Sequence, residues 1–333
     1  MPKIIDSFLF FQEVDLLEIR LKYLDPYVDF FVIVEACQTF TGKPKEFVFE
    51  KNFERFSEYK EKIFYYKIED FHADYESIIK FLESQREVSF SKIKDILESH
   101  THYSKKHIHW VLDSYHRECL HIALEKVAKE DDIVLISDLD EIPSVETFSD
   151  KQKKNEYQTP YVYQQNEFRY FLNYYKDSDW LGSISGRYSL LKEHSYNLLR
   201  IDSKEARELV AKESIKHGGY HFTSCGGVEM IKKKIESWGH QVFNNNLILD
   251  NLEKNIQQGR DIFMRDNETN LKSISISDRL YFDQHMADII SKYPKLISTT
   301  KIEQVKESFL SKIKLRLLIN AQKIFYKIRL RIK

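Results

Sequence analysis

The feature that most constrains this chain is a short apolar segment that ends in a cluster of acids, residues 131 to 143, with the sequence DDIVLISDLDEIP. An apolar run bounded by charged residues is typical of a strand that is buried on both faces of an α/β sheet. The acids then follow the carboxyl end of the strand, where open α/β sheets bind their ligands. The segment therefore predicts both a fold class and the location of a site.

Asp138 and Asp140 are candidate metal ligands. Residues two apart in an extended chain point in the same direction, so the two carboxylates can share one cation. Oxygen ligands suit Mg²⁺ or Mn²⁺, ions that commonly hold phosphate oxygens as well. The pattern thus indicates metal-assisted chemistry on a nucleotide diphosphate. Acids followed by a proline also begin helices, where they cap free N–H groups and complement the helix dipole, and the segment alone leaves that alternative open.

Strand and helix patterns alternate along the first 140 residues. The predicted strands and helices, in chain order, are a strand at Ile4 to Phe11, a helix from Gln12 to Leu21, strands at Asp29 to Ala36 and Lys62 to Ile68, and helices from Tyr75 to Glu130 with an interruption near Ser99 to Ser104. This alternation predicts a mostly parallel sheet with right-handed crossovers. Residues 157 to 175 are rich in Tyr, Phe and Asn, and we expect them to form longer strands that cover the front of the sheet.

Composition excludes several classes of protein. The 333 residues, 42% of them hydrophobic, suffice for one large α/β domain or two small ones. A formal net charge of -1 gives no overall field that favours nucleic acid, and we expect no such partner. Three widely spaced cysteines form neither a disulfide framework nor a zinc site, which fits a reducing compartment. The sequence shows no signal peptide and no run of the roughly 18 apolar residues of a membrane span, so we expect a cytoplasmic protein.

Several sequence blocks occur together in a recognisable order. They are FLFFQEVDLLEIRL at residues 8 to 21, FVIVE and TFTGKP between residues 31 and 44, ISDLDEIP at residues 136 to 143, GGYHFTS at residues 218 to 224 and IQQGRDIF at residues 256 to 263. Over roughly residues 4 to 265 the chain resembles glycosyltransferase family 17, which includes the β-1,4-mannosyl-glycoprotein N-acetylglucosaminyltransferases. Two departures bear on the acceptor: residues 71 to 109 are longer and more helical than in the family, and we expect no counterpart of the membrane anchor of eukaryotic members.

The resemblance implies a GT-A type nucleotide-sugar-binding fold, with a mostly parallel central sheet flanked by helices. Its first two strands would hold the nucleoside, and the acidic motif would hold Mn²⁺ or Mg²⁺. The implied reaction is an inverting transfer of a sugar, with N-acetylglucosamine expected, from a UDP-sugar donor to a saccharide or glycoconjugate acceptor. We expect the catalytic domain at residues 1–290 and a basic amphipathic helical tail at residues 291–333.

Five residues are expected to bind the donor or its metal. Glu35 ends a predicted strand, where a carboxylate can accept hydrogen bonds from uracil or ribose, or can be merely a solvated strand end. Arg117 can reach diphosphate oxygens bidentately, or form a structural ion pair with Glu118 or another neighbour. Asp138 and Asp140 are assigned to the metal and the donor, Asp140 as the more direct ligand. The resemblance implies a metal or diphosphate contact for His221, which could equally be structural.

Inverting transfer also needs a carboxylate that takes the proton of the acceptor hydroxyl. Glu229, just past two glycines, is the first candidate, followed by Asp179 beside Trp180 and by Glu167. Glu141 can orient the metal site or simply begin a helix. Trp180 can stack on a sugar face or pack in the core.

The end of the chain carries a separate pattern. No acid follows Glu307, and basic residues accompany an apolar stripe with spacings of three and four. Residues 308 to 333 are therefore predicted to form an amphipathic helix that either lies on an anionic membrane surface or packs on the catalytic domain. The first alternative would make the enzyme peripheral on the inner face of a membrane, near lipid-linked glycans.

Two other functions compete with glycosyl transfer. One is a non-catalytic membrane-surface or glycan-binding protein with a degenerate transferase fold. The other is a phosphatase with an Asp-x-Asp-x-Thr motif, which is disfavoured because Ile142 occupies the threonine position.

Overall fold

The computed structural model describes residues 2–147, 159–200, 213–264 and 271–302, together with residues 310, 313 and 317–321. Its strands are β1 (Ile4–Leu9), β2 (Phe30–Ala36), β3 (Ile63–Ile68), β4 (Ile133–Asp138), β5 (Glu141–Pro143), β6 (Tyr161–Arg169), β7 (Tyr174–Tyr175), β8 (Trp180–Arg187), β9 (Glu213–Ile215), β10 (Gly219–Thr223) and β11 (Lys272–Ser273). Its α-helices are α1 (Val14–Leu24), α2 (Val48–Lys51), α3 (Tyr75–Ser84), α4 (Val88–Ser99), α5 (Ile108–Glu118), α6 (Leu120–Glu125), α7 (Tyr188–Leu191), α8 (Tyr196–Arg200), α9 (Val228–Ser237), α10 (Asn246–Asp250), α11 (Leu252–Gln257) and α12 (Gln284–Ile290).

The chain divides into two compact units. The first comprises Met1–Glu167 and Ser178–His221, and the second comprises Phe168–Asp177 and Phe222–Lys333. The predicted boundary at residue 290 separates a catalytic domain from a basic tail, which is a different division from these two units, and it stays a prediction.

The first unit contains a parallel group of strands in the order β3-β2-β1-β4. Nearly every residue of β1, β2 and β4 is buried, as the apolar runs predict for strands covered on both faces. Leu9 pairs with Asp138, so β1 and β4 reach the same level at their carboxyl ends. The four predicted strands are confirmed, and the acidic segment does follow a buried parallel strand.

Beyond β4 most strand pairs are antiparallel, and β9 pairs parallel with β6. β8 runs antiparallel to β4, and β6 runs antiparallel to β8. The prediction of a mostly parallel sheet therefore holds for β1 to β4 and is wrong for this side of the sheet. For β6 and β8 the physical reason is the connection: only residues 170–179 join them, whereas a parallel neighbour needs a crossover of a dozen or more residues. The architecture shown is a mixed α/β fold with a large central sheet flanked by helices.

One face of the parallel strands packs against helices α3 to α6. The buried side chains of this core are contributed by Ile5, Val32, Val34, Val134 and Ile136 from the sheet and by Ile78, Leu82, Ile93, Leu97, Val111, Leu112 and Tyr115 from the helices. The predicted interruption near residues 99 to 104 is confirmed, because α4 ends at Ser99 and α5 begins at Ile108.

A short antiparallel pair of strands, β5 and β10, completes the first unit near the acidic segment. Gly219 lies opposite Pro143, and His221 lies opposite Glu141. Gly219 has a φ of +125°, and a Cβ atom there would lie 2.2 Å from the carbonyl oxygen of Ile142. Only glycine can therefore bring β10 this close to β5 without strain.

The second unit has its own small core. β7 and β11 pair antiparallel, and the buried apolar side chains around them and the helices α9 to α11 are Tyr170, Tyr174, Ile231, Ile235, Ile248, Leu252, Ile256, Ile262, Phe263 and Leu271. Of the predicted tail, residues 317–321 are helical, and the rest lies largely outside the described residues. Within the part of the chain that the structure describes, no helix has the length and apolar character needed to cross a membrane.

Candidate functional site

The acidic segment forms a tight turn between β4 and β5. Asp138 is the last residue of β4, and Glu141 is the first of β5. The side chain of Asp138 is 33% exposed and that of Asp140 is 14% exposed. Leu139, between them, is buried. The two aspartates thus lie at the accessible side of the turn, while the leucine between them is buried.

Glu141 supports this turn from behind. It is fully buried, and its Oε1 accepts a hydrogen bond of 2.8 Å from Nε1 of Trp180. Its Oε2 accepts a hydrogen bond of 3.2 Å from the backbone N–H of Asp138. Its carbonyl oxygen accepts a third, of 3.0 Å, from the hydroxyl of Ser183 on β8. Glu141 therefore begins a strand rather than a helix, and ties the acidic turn to β8.

His221 lies beside Asp140 because β10 pairs with β5. Its Nε2 is 3.7 Å from Oδ1 of Asp140. Its ring stacks on Trp180, with ring centroids 4.2 Å apart and an angle of 23° between the planes. His221 is 5% exposed, and its Nδ1 is buried with no hydrogen-bond partner among the described residues. One face of Trp180 is thus covered by an imidazole.

Arg117 reaches the acidic turn from α5. Its Nη2 lies 3.2 Å and 3.4 Å from the two carboxylate oxygens of Asp138. Its Nη1 donates to Asp113, one helical turn earlier. The guanidinium therefore forms an ion pair with Asp113 on its own helix and also contacts Asp138, the predicted metal ligand. The helix neighbour is Asp113 and not Glu118, whose carboxylate accepts hydrogen bonds of 3.1 Å and 3.0 Å from the first amides of α8.

Glu35 is not a solvated strand end, because it is 1% exposed. Its carboxylate accepts hydrogen bonds from the backbone amides of Val48 (2.6 Å) and Phe49 (3.0 Å) at the start of α2, and from Tyr65 Oη (2.8 Å). It also forms an ion pair with Lys45. Burial, and then the Glu35 carboxylate, raise the pKa of Tyr65, so its hydroxyl remains a donor. All these partners belong to the protein, and a contact with the nucleoside stays a prediction.

The three candidate bases lie in different surroundings. Glu167 is buried on β6. Asp179 precedes β8 and accepts a hydrogen bond of 3.1 Å from Gln164. Glu229 is exposed in the first turn of α9, within the second unit. The choice among them stays a prediction.

The donor atoms at the acidic turn fit a cation that is shared with a ligand. No group of three His, Cys, Asp or Glu side chains that could hold a metal ion is found among the described residues. Asp140 and His221 supply a carboxylate and an imidazole side by side, and Nε2 is the ring nitrogen that faces the carboxylate. Mg²⁺ is commonly bound through one or two carboxylates together with substrate phosphates, and an imidazole ligand extends the choice to a transition metal such as Mn²⁺.

The buried pair of Arg20 and Asp6 is not among the residues predicted from the sequence. Arg20, on α1, donates to both carboxylate oxygens of Asp6, at 2.8 Å and 2.6 Å, and neither side chain is exposed. The signal was present in the sequence, because Asp6 interrupts an apolar strand and a buried charge requires a partner of opposite charge. The partner could not be identified from the sequence, since nothing in it fixes which face of α1 meets β1.

A second polar cluster follows the carboxyl end of β3. Asp70 accepts a hydrogen bond of 2.6 Å from Tyr115 and lies 2.8 Å from Nε2 of His72. Burial raises its pKa, but the hydrogen bonds from His72 and Tyr115 outweigh burial, and the net pKa is lowered. The neighbouring His116 on α5 is fully buried, and burial lowers its pKa to about 3. His116 is therefore neutral at physiological pH.

Comparisons with known proteins agree with the resemblance. Residues 1–93 and 77–274 match the sequence profile of glycosyltransferase family 17. No curated protein matches the chain. Among solved structures, the crystal structure of 4-diphosphocytidyl-2C-methyl-D-erythritol synthase aligns at 12% identity over 66% of this chain and 90% of that chain, with a TM-score of 0.31. A similarity at that level carries no inference about fold or function.

Proposed function

This chain belongs to glycosyltransferase family 17, and from that premise we propose that it transfers a sugar from a UDP-sugar, with UDP-N-acetylglucosamine as the donor, to a saccharide or lipid-linked glycan. Membership of the family indicates glycosyl transfer by a transferase. The proposal adds the donor, a divalent cation and the residues that hold them.

The observation that carries the proposal is the meeting of Asp140 and His221, 3.7 Å apart, at the turn that follows β4. Asp140 and His221 would hold Mn²⁺ or Mg²⁺, with Asp138 close to the same position. When bound, the cation supplies Lewis acidity that offsets the charge developing on the departing UDP. Trp180 fixes the ring of His221 by stacking, so that its orientation does not depend on a ligand.

Arg117 supplies the positive charge that is part of the protein itself. Asp113 anchors its Nη1, which leaves the Nη2 edge directed at the acidic turn. A guanidinium in this position can donate two hydrogen bonds to a diphosphate, which are stronger than bonds between neutral groups. We propose that Arg117 holds Asp138 in the absence of donor and binds the diphosphate in its presence.

The acceptor hydroxyl must lose its proton to a carboxylate during inverting transfer. Glu229 remains the first choice, followed by Asp179 and Glu167. Replacing each by its amide isolates the base: the decisive variant loses turnover of UDP-N-acetylglucosamine but keeps the affinity of the wild type for UDP. The predicted binding of the basic tail, residues 308 to 333, to an anionic membrane surface is part of the same proposal, as is a cytoplasmic location.

The metal site is tested by thermal shift. UDP with Mn²⁺ should stabilise the wild type, by about 2.7 kcal/mol when UDP is present at a hundred times its dissociation constant. Asp140→Asn should abolish the part of this shift that depends on Mn²⁺. Asp131→Asn is the matched control, since Asp131 is an exposed aspartate that precedes the same strand and pairs with Arg187. An Asp140→Asn protein that responds to UDP and Mn²⁺ as the control does would refute the assignment.

The donor is tested by following hydrolysis of a panel of nucleotide sugars. Turnover of UDP-N-acetylglucosamine above the other UDP-sugars supports the proposed donor. Preference for a different nucleotide refutes the donor but leaves the metal site standing.

A further inference from the structure

The guanidinium of Arg20 contacts the acidic turn directly, in addition to its ion pair with Asp6. Its Nη1 donates to three backbone carbonyls of the turn, those of Asp138 (3.0 Å), Leu139 (3.1 Å) and Glu141 (2.8 Å). These carbonyls converge on one nitrogen, so the backbone of the turn curls around the guanidinium.

The rest of the guanidinium is held in place from the opposite side. Nε and Nη2 bind the two oxygens of Asp6, and Nη2 also donates to the hydroxyl of Ser137 at 2.6 Å. The cation lies over the ring of Phe8, 4.5 Å from its centroid. Each nitrogen of the side chain therefore has an acceptor, as a buried guanidinium requires.

These contacts do more than join α1 to β1. A buried ion pair is weak evidence for stability, because well-packed apolar side chains of the same volume often stabilise as well or better. An apolar pair at Arg20 and Asp6 could hold the helix on the strand, but it would take one donor from each of three inward carbonyls, of which that of Glu141 would keep the hydroxyl of Ser183. What Arg20 supplies, and an apolar residue cannot, is a fixed path for the backbone from Asp138 to Glu141.

The direction of the metal-binding side chains depends on that path. Asp138 and Asp140 lie on the accessible side of the turn whose carbonyls are bound from inside, and Glu141 follows directly. We propose that Arg20 is the positioning residue of the acidic turn: it holds the backbone so that Asp138 and Asp140 face a cation and the diphosphate of the donor. The identity of the cation and the diphosphate in this inference rests on the proposed function, whereas the fixing of the turn backbone by Arg20 does not.

Lysine at this position tests the geometry and keeps the charge. A lysine carries three donors on a single atom, so it cannot bind Asp6 bidentately and reach the turn at the same time. Asp132→Asn is the matched control, because Asp132 is a buried aspartate next to the other end of β4, where it accepts backbone hydrogen bonds of 2.8 Å from Lys3 and 2.9 Å from Lys129.

Hydrogen exchange without any ligand measures the hold on the turn. In Arg20→Lys, the backbone amides of residues 138 to 142 should exchange at least tenfold faster than in the wild type, whereas Asp132→Asn should leave them unchanged. Ser137→Ala, which removes a single bond to Arg20, should shift the same amides in the same direction by a smaller factor, and it serves if Arg20→Lys does not fold. Unchanged exchange at the turn in a folded Arg20→Lys protein, or in Ser137→Ala when the lysine variant does not fold, overturns the inference.

Ligand binding supplies the second readout. The Mn²⁺ concentration that gives half of the metal-dependent gain in UDP affinity should rise at least tenfold in Arg20→Lys and should not change in Asp132→Asn, even where the two variants lose the same thermal stability. Equal Mn²⁺ requirements in the two variants contradict the positioning role. A wild type whose UDP binding ignores Mn²⁺ would refute the proposed function instead, and the exchange measurement would still decide whether Arg20 holds the turn.

Discussion

Gly219→Ala should disrupt the pairing of β5 and β10, and with it the place of His221. The glycine has a φ of +125°, and an added Cβ would lie 2.2 Å from the oxygen of Ile142 and 2.6 Å from the amide nitrogen of Ser144. Both neighbours are backbone atoms, so neither can move aside as the end of a flexible side chain can. The strand pair must separate to relieve the contact, and His221 is only two residues further along β10.

The magnitude has two parts. A residue with a Cβ in the left-handed region costs about 1–2 kcal/mol, and forcing an extra carbon into a packed site costs about 1–3 kcal/mol. Gly42→Ala separates them, because Gly42 has a φ of +79° but no atom within 4 Å of an added Cβ. The control carries the backbone cost alone, so Gly219→Ala should be less stable than Gly42→Ala by about 1–3 kcal/mol.

The assay is thermal unfolding with and without UDP and Mn²⁺. Gly219→Ala should melt at least about 2 °C below Gly42→Ala, and it should also lose the part of the UDP stabilisation that needs Mn²⁺, since His221 no longer lies beside Asp140. Equal melting temperatures of the two variants would show that β5 and β10 do not approach each other this closely at Gly219. A full response to Mn²⁺ in Gly219→Ala would show that His221 does not bind the metal.

Three further predictions concern buried and charged groups of the first unit. Glu141→Gln should lower the free energy of unfolding, measured in urea, by about 1–3 kcal/mol, because one of the two N–H donors to its carboxylate loses its acceptor. Glu118→Gln is the control and should lose a similar amount of stability. Only Glu141→Gln should weaken the Mn²⁺-dependent binding of UDP, as titration calorimetry measures. Burial lowers the pKa of His116 from 6.5 to about 3. Between these pH values the unfolded chain binds more protons than the folded chain, so the folded state loses stability as the pH falls from 6.5 towards 3. His116→Gln should remove about 2 kcal/mol of this loss at pH 5, as urea unfolding at pH 5 and pH 8 measures. Arg117→Met should weaken UDP binding at least about tenfold, since a hydrogen bond to a charged group contributes about 1.5–3 kcal/mol, as titration calorimetry measures.

Each of these predictions has an outcome that contradicts it. Equal Mn²⁺ dependence in Glu141→Gln and Glu118→Gln would mean that Glu141 does not support the metal site. A His116→Gln protein with the acid sensitivity of the wild type would mean that this histidine is already protonated, or exposed, near pH 5. Unchanged UDP affinity in Arg117→Met would confine Arg117 to its ion pair with Asp113.

Much of the candidate site could be predicted because its signals are local. The strand before Asp138 is an apolar run followed by charge, and both properties can be read from adjacent residues. Arg117 could be placed near the acids because the helical stretch that contains it precedes that strand along the chain, although the short helix α6 lies between α5 and β4. Glu35 shows the limit of such inference: its position at the end of β2 was predicted, but the amides of α2 that bind it were not.

The sequence by itself determined which segments are buried strands, and that a pair of aspartates follows one of them. Only the tertiary structure decided the antiparallel side of the sheet, the pairing that brings His221 to Asp140, and the binding of Arg20 to the carbonyls of the acidic turn. The physical reason is how far apart along the chain the interacting residues lie. Burial and turn formation depend on neighbours in the chain, whereas strand pairing and the partner of a buried charge depend on which distant surfaces exclude water together.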